Sequence, residues 1–432
     1  MKLWQKTYTV DTLVDTFTVG EDRILDLQLA RYDVQGSMAH ATMLQRIGVL
    51  SAEELESLLR ELRSIAADIE AGDFTIEDEF EDVHSKVEHL LTERLGETGK
   101  KIHTARSRND QVLVDLHLYA RAELDAIHEA VYLLFDRLLA LAEEHKGVTL
   151  PGYTHLQVAM PSSFGLWFSG YAETLIDDLR LVAAARATAD QNPLGSAAGY
   201  GSSFPIDRQL TTELLDFATL RYASTGAQMS RGKLERTVAF ALSSLGDTLG
   251  KLAADICLFM SQNFGFIGFP RELTTGSSIM PHKQNPDVFE LVRAKSNQLR
   301  ALPGEIALLT ANLTSGYHRD FQLLKAPLLN GVATTREILE ITEFMLRHIR
   351  VRGISSKDDR YDYMYSVETV NRLVQEGTPF RDAYRMVGQQ IDAGAFRAER
   401  ELQHSHAGSL GNLCLAEIRA KMEACAPRKV AE

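Results

Sequence analysis

Cysteine is scarce in this 432-residue chain: only Cys257, Cys414 and Cys425 occur, none in a redox-like or metal-like pair. So sparse and odd a set excludes a disulfide scaffold and points to a reducing compartment, the cytoplasm. Also lacking is any apolar run of the roughly 20 residues needed to span a bilayer. Even Tyr132–Phe135 is followed at once by Asp136 and Arg137. The stretch from Met1 to Lys6 and on to Asp11 and Asp15 has no apolar signal-peptide core. The expectation is a soluble protein without a membrane partner. Positive charge is short as well. Lys and Arg number 46 against 59 Asp and Glu, a net charge of −13. Such a chain lacks the basic surface that displaces counterions from nucleic-acid phosphates, so nucleic acid is excluded as a partner. Any anionic ligand must be held by a local cluster of cations working against the overall field.

Strand-like alternation is rare, and the helical period dominates. Ser51-Ala52-Glu53-Glu54 reads as a capping box, opening a helix that stops at Gly72-Asp73. From Asp110 to His145 no Pro or Gly interrupts apolar positions three and four apart, Leu113, Leu116, Ala120, Leu124 and Ile127 among them. At 1.5 Å per residue this predicts a rod of about 54 Å. Further long helices are predicted over 164–191, 231–263, 286–313 with a kink at Pro303, and 324–350. Rods this long cannot bury their apolar stripes in one compact chain, so they predict a bundle shared between subunits. The fold expected is all-α, in three domains. Residues 1–105 form an N-terminal helical domain and 106–353 the long-helix bundle. Residues 354–432 form a small C-terminal helical domain, entered through Lys357-Asp358-Asp359-Arg360.

Three polar islands break this pattern, as expected where a rigid scaffold positions binding groups. The first runs from His103 to Gln111, and its Arg106 and Arg108 offer planar forks for carboxylates. It equally fits a solvated helix start with Asp110 facing the dipole. The second, Leu150–Gln157, contains His155, which is able to exchange a proton near neutral pH. A structural histidine near a helix start is the plainer reading. The third, Gly276–Pro286, combines small donors, the fixed charge of Lys283 and a Pro that restarts a helix. Ile279 and Met280 set between such groups argue against a plain solvent loop.

Residues 276–286 read Gly-Ser-Ser-x-Met-Pro-x-Lys-x-Asn-Pro, and in this the chain resembles the fumarase/aspartase superfamily. Thr104-Ala105-Arg106-Ser107-Arg108-Asn109-Asp110-Gln111-Val112 looks like the signature of one branch, the argininosuccinate lyase family. Asp33-Val34-Gln35-Gly36-Ser37, Glu81-Asp82-Val83-His84 and Pro379-Phe380-Arg381 look like that branch too. The resemblance implies an all-α, three-domain subunit in a homotetramer, with each active site assembled from three subunits and no cofactor. It implies β-elimination of argininosuccinate, a small-molecule substrate, to arginine and fumarate in arginine biosynthesis. Ser277 and His155 would transfer the protons, Lys283 would hold the carboxylate that gains charge, and Glu290 would orient His155. Arg108 and Asn109, with Thr154 beside them, would hold the succinyl carboxylates, and Asn285 would hydrogen-bond the carboxylate on Lys283. Tyr317, Gln322 and Lys325 would meet the amino-acid end, and Asp82 the guanidinium.

The pattern departs from that family at His282, which is more familiar from adenylosuccinate lyases, and at Met160, where a second glutamine is usual. Lys251 stands for an Arg, Leu323-Leu324 for an acidic pair, and Phe17-Thr18-Val19-Gly20 lacks a substrate-binding serine. One rival expectation is therefore an adenylosuccinate lyase-type enzyme, against which the Arg106–Asp110 island stands. Another is a crystallin-like structural protein of this fold, against which the intact Ser277, Lys283, Asn285, His155 and Glu290 stand. The pairs His84 with His89 and His404 with His406 lack a full ligand count and read as solvated helix positions, so no metal is expected.

Overall fold

The computed structural model describes residues 11–355 and 358–425. The Met1–Lys6 start and Lys357 of the charged run lie outside the described residues. The fold is helical, as expected. In chain order the helices used below are α1 (Ala30–Arg46), α2 (Ala52–Ala71), α3 (Val83–Leu95), α4 (Arg108–Glu144), α5 (Phe164–Ala189), α6 (Lys233–Met260), α7 (Asp287–Leu309), α8 (Lys325–Leu346), α9 (Ser366–Gln375) and α10 (Phe380–Asp392). The five long ones, α4 to α8, begin and end within four residues of their predicted places. With 37 residues, α4 is about 56 Å long.

Local chemistry accounts for the ends. Ser51 Oγ accepts the Glu54 N–H at 3.2 Å while Glu54 Oε2 accepts the Ser51 N–H at 2.9 Å, so α2 starts on the predicted capping box. It stops at Gly72, whose φ of 79° only glycine adopts without strain. Pro303 lies inside α7. One element differs from expectation. Between α4 and α5 the chain forms an antiparallel hairpin, β1 (Thr149–Thr154) and β2 (Gln157–Ser163), so His155 stands at a strand-to-strand turn and not near a helix start. A Cβ on Gly152 would lie 2.8 Å from the Met160 carbonyl oxygen, which is why glycine sits at this pairing.

The chain divides into two compact units. The first comprises Met1–His128, Leu181–Ser244 and Gln298–Thr335; the second comprises Glu129–Arg180, Leu245–Asn297 and Arg336–Glu432. Within the first unit, α1, α2 and α3 bury Val34, Leu44, Leu58, Leu62, Ile65, Val87 and Leu91 in one core. Each such side chain contributes about 1.5–3 kcal/mol on leaving water. Gly36 lets α1 approach α4, since a Cβ there would meet Val114 Cγ1 at 3.1 Å.

Within the second unit, Trp167 packs against Phe168 and Phe259 in tilted geometry, with ring centroids 4.7 and 5.5 Å apart. The indole N–H of Trp167 and the hydroxyl of Tyr171 both donate to Asp255 Oδ2, at 3.0 and 2.7 Å. A smaller core of Val370, Ala383, Val387 and Phe396 joins α9 to α10.

Candidate active site

In the first unit, the starts of α3, α4 and α8 and the segment ahead of α1 line a cavity of about 250 Å³. Six of the expected site residues meet there: Asp82, Arg108, Asn109, Tyr317, Gln322 and Lys325. Most are engaged with the protein itself. Arg108 Nη1 donates to Glu81 Oε2 at 2.6 Å and lies 3.2 Å from Asp82 Oδ2, and its Nη2 donates to Ser85 Oγ at 3.0 Å. Asp82 caps α3, its Oδ1 accepting the Ser85 N–H at 2.8 Å. Burial would raise the Asp82 carboxyl, but His84, Arg108 and the Ser85 donors outweigh it and hold it below its usual range. Gln322 donates its amide to the carbonyls of Thr18 and Val19. The ring of Tyr317 packs near Phe321 with centroids 6.2 Å apart.

Lys325 is 5% exposed, with Nζ 2.6 Å from Asp26 Oδ1 and 3.3 Å from Asp22 Oδ1. Burial disfavours its charge, yet the two carboxylates prevail and push its pKa up. Neither acid was singled out by the sequence reading. The one available signal was their i, i+4 spacing beside the apolar start of α1. The same cavity is lined by Arg231 and Arg319, which were missed as well.

His84 departs from its expected place. It is buried, not solvated, with Nδ1 2.8 Å from Asp33 Oδ1 and 3.8 Å from Asp115 Oδ2. Desolvation opposes its charge, but Asp33, Asp82 and Asp115 raise it to about 9. Donor atoms of Asp33, His84 and Asp115 lie within 4.8 Å of one another. A ring that keeps its proton at neutral pH is no metal ligand, and Arg106, buried among the same acids, supplies further positive charge. The cluster therefore fits a buried ion network better than a metal centre. Arg106 itself turns inward to donate to Ser37 Oγ at 2.9 Å. Asp110 faces inward too, its Oδ2 accepting the N–H groups of Gly195 and Ala197 at 2.9 Å each. Of the first island, Arg108 and Asn109 face the cavity, and Arg106 and Asp110 hold the island in place.

The second unit holds the other six. Thr154 and His155 lie at the tip of the β1–β2 hairpin, exposed, with His155 and Leu156 at φ 55° and 58°. Two left-handed residues in succession are the geometry of a two-residue hairpin turn, at a steric cost of roughly 1–2 kcal/mol each. The 276–286 loop is pinched at its base by Asn285. Its N–H donates to the Thr275 carbonyl at 2.9 Å, and its amide donates to the Gly276 carbonyl at 3.1 Å and to Thr275 Oγ1 at 3.3 Å. Ser277 Oγ accepts the N–H groups of Met280 at 3.1 Å and Ile279 at 3.4 Å. Lys283 is exposed, and Glu290 lies exposed on the first turn of α7. Among the described residues, no hydrogen bond joins His155 to Ser277 or to Glu290.

The sequence family described as Lyase matches residues 5–300. The argininosuccinate lyase of Parabacteroides distasonis is 56% identical over 421 residues, 98% of this chain and 94% of that protein. The argininosuccinate lyase of Bacteroides thetaiotaomicron is 55% identical over 422 residues, 98% of this chain and 95% of that protein.

The chain belongs to the argininosuccinate lyase family.

As a member of this family it is a lyase. The fold reaches well beyond the family's own range of identity. The crystal structure of EDDS lyase in complex with formate matches with a TM-score of 0.74 at 20% identity, over 97% of this chain and 90% of that one.

Proposed function

We propose that the chain cleaves argininosuccinate by β-elimination to arginine and fumarate, as a cytoplasmic step of arginine biosynthesis. One observation carries this reading: 98% of the chain aligns, at 55 and 56% identity, with proteins named for that activity. In the proposed reaction Ser277 takes the proton from the succinyl carbon beside a carboxylate. The electron pair left behind forms the C=C bond of fumarate, the C–N bond breaks, and its pair goes to the guanidino nitrogen. His155, oriented by Glu290, returns a proton to that nitrogen. The two N–H groups on Ser277 Oγ support this role, since they would stabilise the oxyanion that a serine base requires. Lys283 would meet the carboxylate as its charge doubles, with Asn285 fixing the loop and Thr154 beside the succinyl group. The cavity of the first unit would hold the rest of the substrate through Arg108, Asn109, Asp82, Tyr317, Gln322 and Lys325. This chemistry uses no cofactor and no metal.

The same reading includes a homotetramer in which each site draws on three subunits. Apolar side chains left to water support it. Leu156, next to His155, is 78% exposed, and Phe240, Leu291 and Leu308 are exposed on long helices. Among the described residues no helix is long and apolar enough to cross a membrane.

Following fumarate absorbance while offering argininosuccinate, adenylosuccinate, malate and aspartate in turn tests the reaction. Turnover is expected with argininosuccinate alone. Faster release of fumarate from adenylosuccinate would replace this reading by its rival.

A further inference from the structure

Another cavity of the first unit, of about 280 Å³, is formed by the start of α6 and the segment that follows α7. The proposed reaction makes no use of it. Three cations line it, Arg231, Lys233 and Arg236, and no carboxylate does. Gly232 lets the two segments approach: its φ is 77°, and a Cβ there would fall 2.7 Å from Thr310 Cγ2. Arg231 is engaged within the fold. Its Nε donates to Glu235 Oε1 at 3.0 Å and its Nη2 to the Phe321 carbonyl at 2.6 Å. Glu235, fully buried, also accepts the Gly232 N–H at 2.6 Å through Oε2, so its charge is matched. Lys233 and Arg236 have no such match. Both are exposed, and among the described residues neither has a carboxylate partner. The Arg236 guanidinium lies 5.6 Å from the centre of the Phe240 ring, a contact that satisfies none of its N–H groups. Three residues apart, the two cations share a face of α6. The segment after α7 adds Thr314 and Ser315, both with hydroxyls, to the lining. Two unmatched positive charges therefore meet in one small cavity of a chain whose net charge is −13.

We propose that this cavity binds a small dianion, with Lys233 and Arg236 each meeting one of its charges and the hydroxyls donating beside them. The count of charges selects a dianion over a monoanion, since both cations lack a partner and no acid stands between them. Inorganic phosphate and a short dicarboxylate such as fumarate share this chemistry. The positive end of the α6 dipole adds to the same field. The site lies outside the cavity proposed for the substrate, although Arg231 lines both. It takes no part in breaking the C–N bond and does not depend on which substrate the chain cleaves.

Calorimetry on the full-length protein at low ionic strength tests the site without relying on turnover. The probes are inorganic phosphate, at a pH where it is doubly charged, fumarate, and chloride as the monoanion. Phosphate or fumarate is expected to bind at a site that survives Arg108→Gln, which alters only the substrate cavity, and chloride to bind far more weakly. Lys233→Gln and Arg236→Gln should each weaken that binding by about 10-fold, as for a lost hydrogen bond to a charged group, and the double variant should abolish it. Added salt should weaken it too, because the charges are exposed. Tighter binding of phosphate would name an inorganic ligand, and tighter binding of fumarate a dicarboxylate. The site is overturned if neither dianion binds at millimolar concentration, if the double variant binds as wild type does, or if Arg108→Gln removes all binding. Light scattering runs beside the calorimetry. A double variant that falls apart into smaller species would assign the two cations to a contact between copies and overturn the site as well. The fumarate assay keeps the two ideas apart, since absence of fumarate release from argininosuccinate sinks the reading of function and leaves dianion binding to stand or fall by the calorimetry.

Discussion

Lys325 and Lys283 are both expected to meet the substrate, Lys325 at its amino-acid end and Lys283 at a carboxylate, yet the chain holds them in opposite ways. Lys325 is 5% exposed and clamped between Asp26 and Asp22 in the first unit. Lys283 projects from an exposed loop of the second unit, where its backbone N–H donates to the Met280 carbonyl at 3.1 Å and, among the described residues, its side chain has no ion pair. The contrast extends to their neighbours. Arg108, His84 and Arg106 share the first unit's buried acids, whereas Ser277 Oγ accepts two backbone N–H groups of its own loop. A buried ion network fixes positions before any ligand arrives, and breaking it costs stability. An exposed loop costs little to alter, and its charges gain strength only once water is excluded around them. The proposed binding residues of the first unit and the proposed catalytic residues of the second thus rest on different physics.

The sharpest way to break this comparison is at Ser277. Ser277→Ala should lower kcat by about 10²–10⁴, the range for losing a proton-transfer group, while the denaturation midpoint stays within error of wild type. A destabilised variant would show that the loop is part of the core after all. Next in size is Lys325→Met, which leaves Asp26 buried beside a neutral side chain. It should cost about 3–5 kcal/mol in denaturant unfolding, in addition to any loss of affinity. Wild-type stability for Lys325→Met would mean that the clamp is loose and the lysine free for substrate.

The smallest effect follows from His84. Its pKa is raised from 6.5 in the unfolded chain to about 9 in the folded one, so its stabilisation is complete below pH 6.5 and is lost as pH rises through 9. Unfolding free energy should fall over that window by on the order of 3 kcal/mol, and His84→Gln should flatten the slope. An equally steep slope in the variant would place the titrating group elsewhere.

What was legible in the sequence follows the range of the interaction. The α2 capping box links Ser51 to Glu54, and α4 shows itself through a period repeated over ten turns; both are written within a few residues. The 276–286 loop is legible for the same reason, because Ser277 is held by N–H groups two and three residues on. The β1–β2 hairpin was not, since its turn uses His155 and Leu156 where Gly or Asn would have signalled a left-handed pair. Arg106 and Arg108 are two residues apart and look alike as cations, yet one donates to Ser37 and the other faces the cavity.

By itself the sequence determined the helical class, the ends of the long rods and the candidate catalytic residues of the second unit. Periodicity, caps and a contiguous motif are local, and no distant contact is needed to read them. Only the tertiary structure decided which charges are spent and which remain. Lys325 meets Asp26 across 299 residues of chain, and His84 meets Asp33 across 51. Pairings at such separations leave no periodic trace, because the choice of partner depends on which helix faces the core packs together.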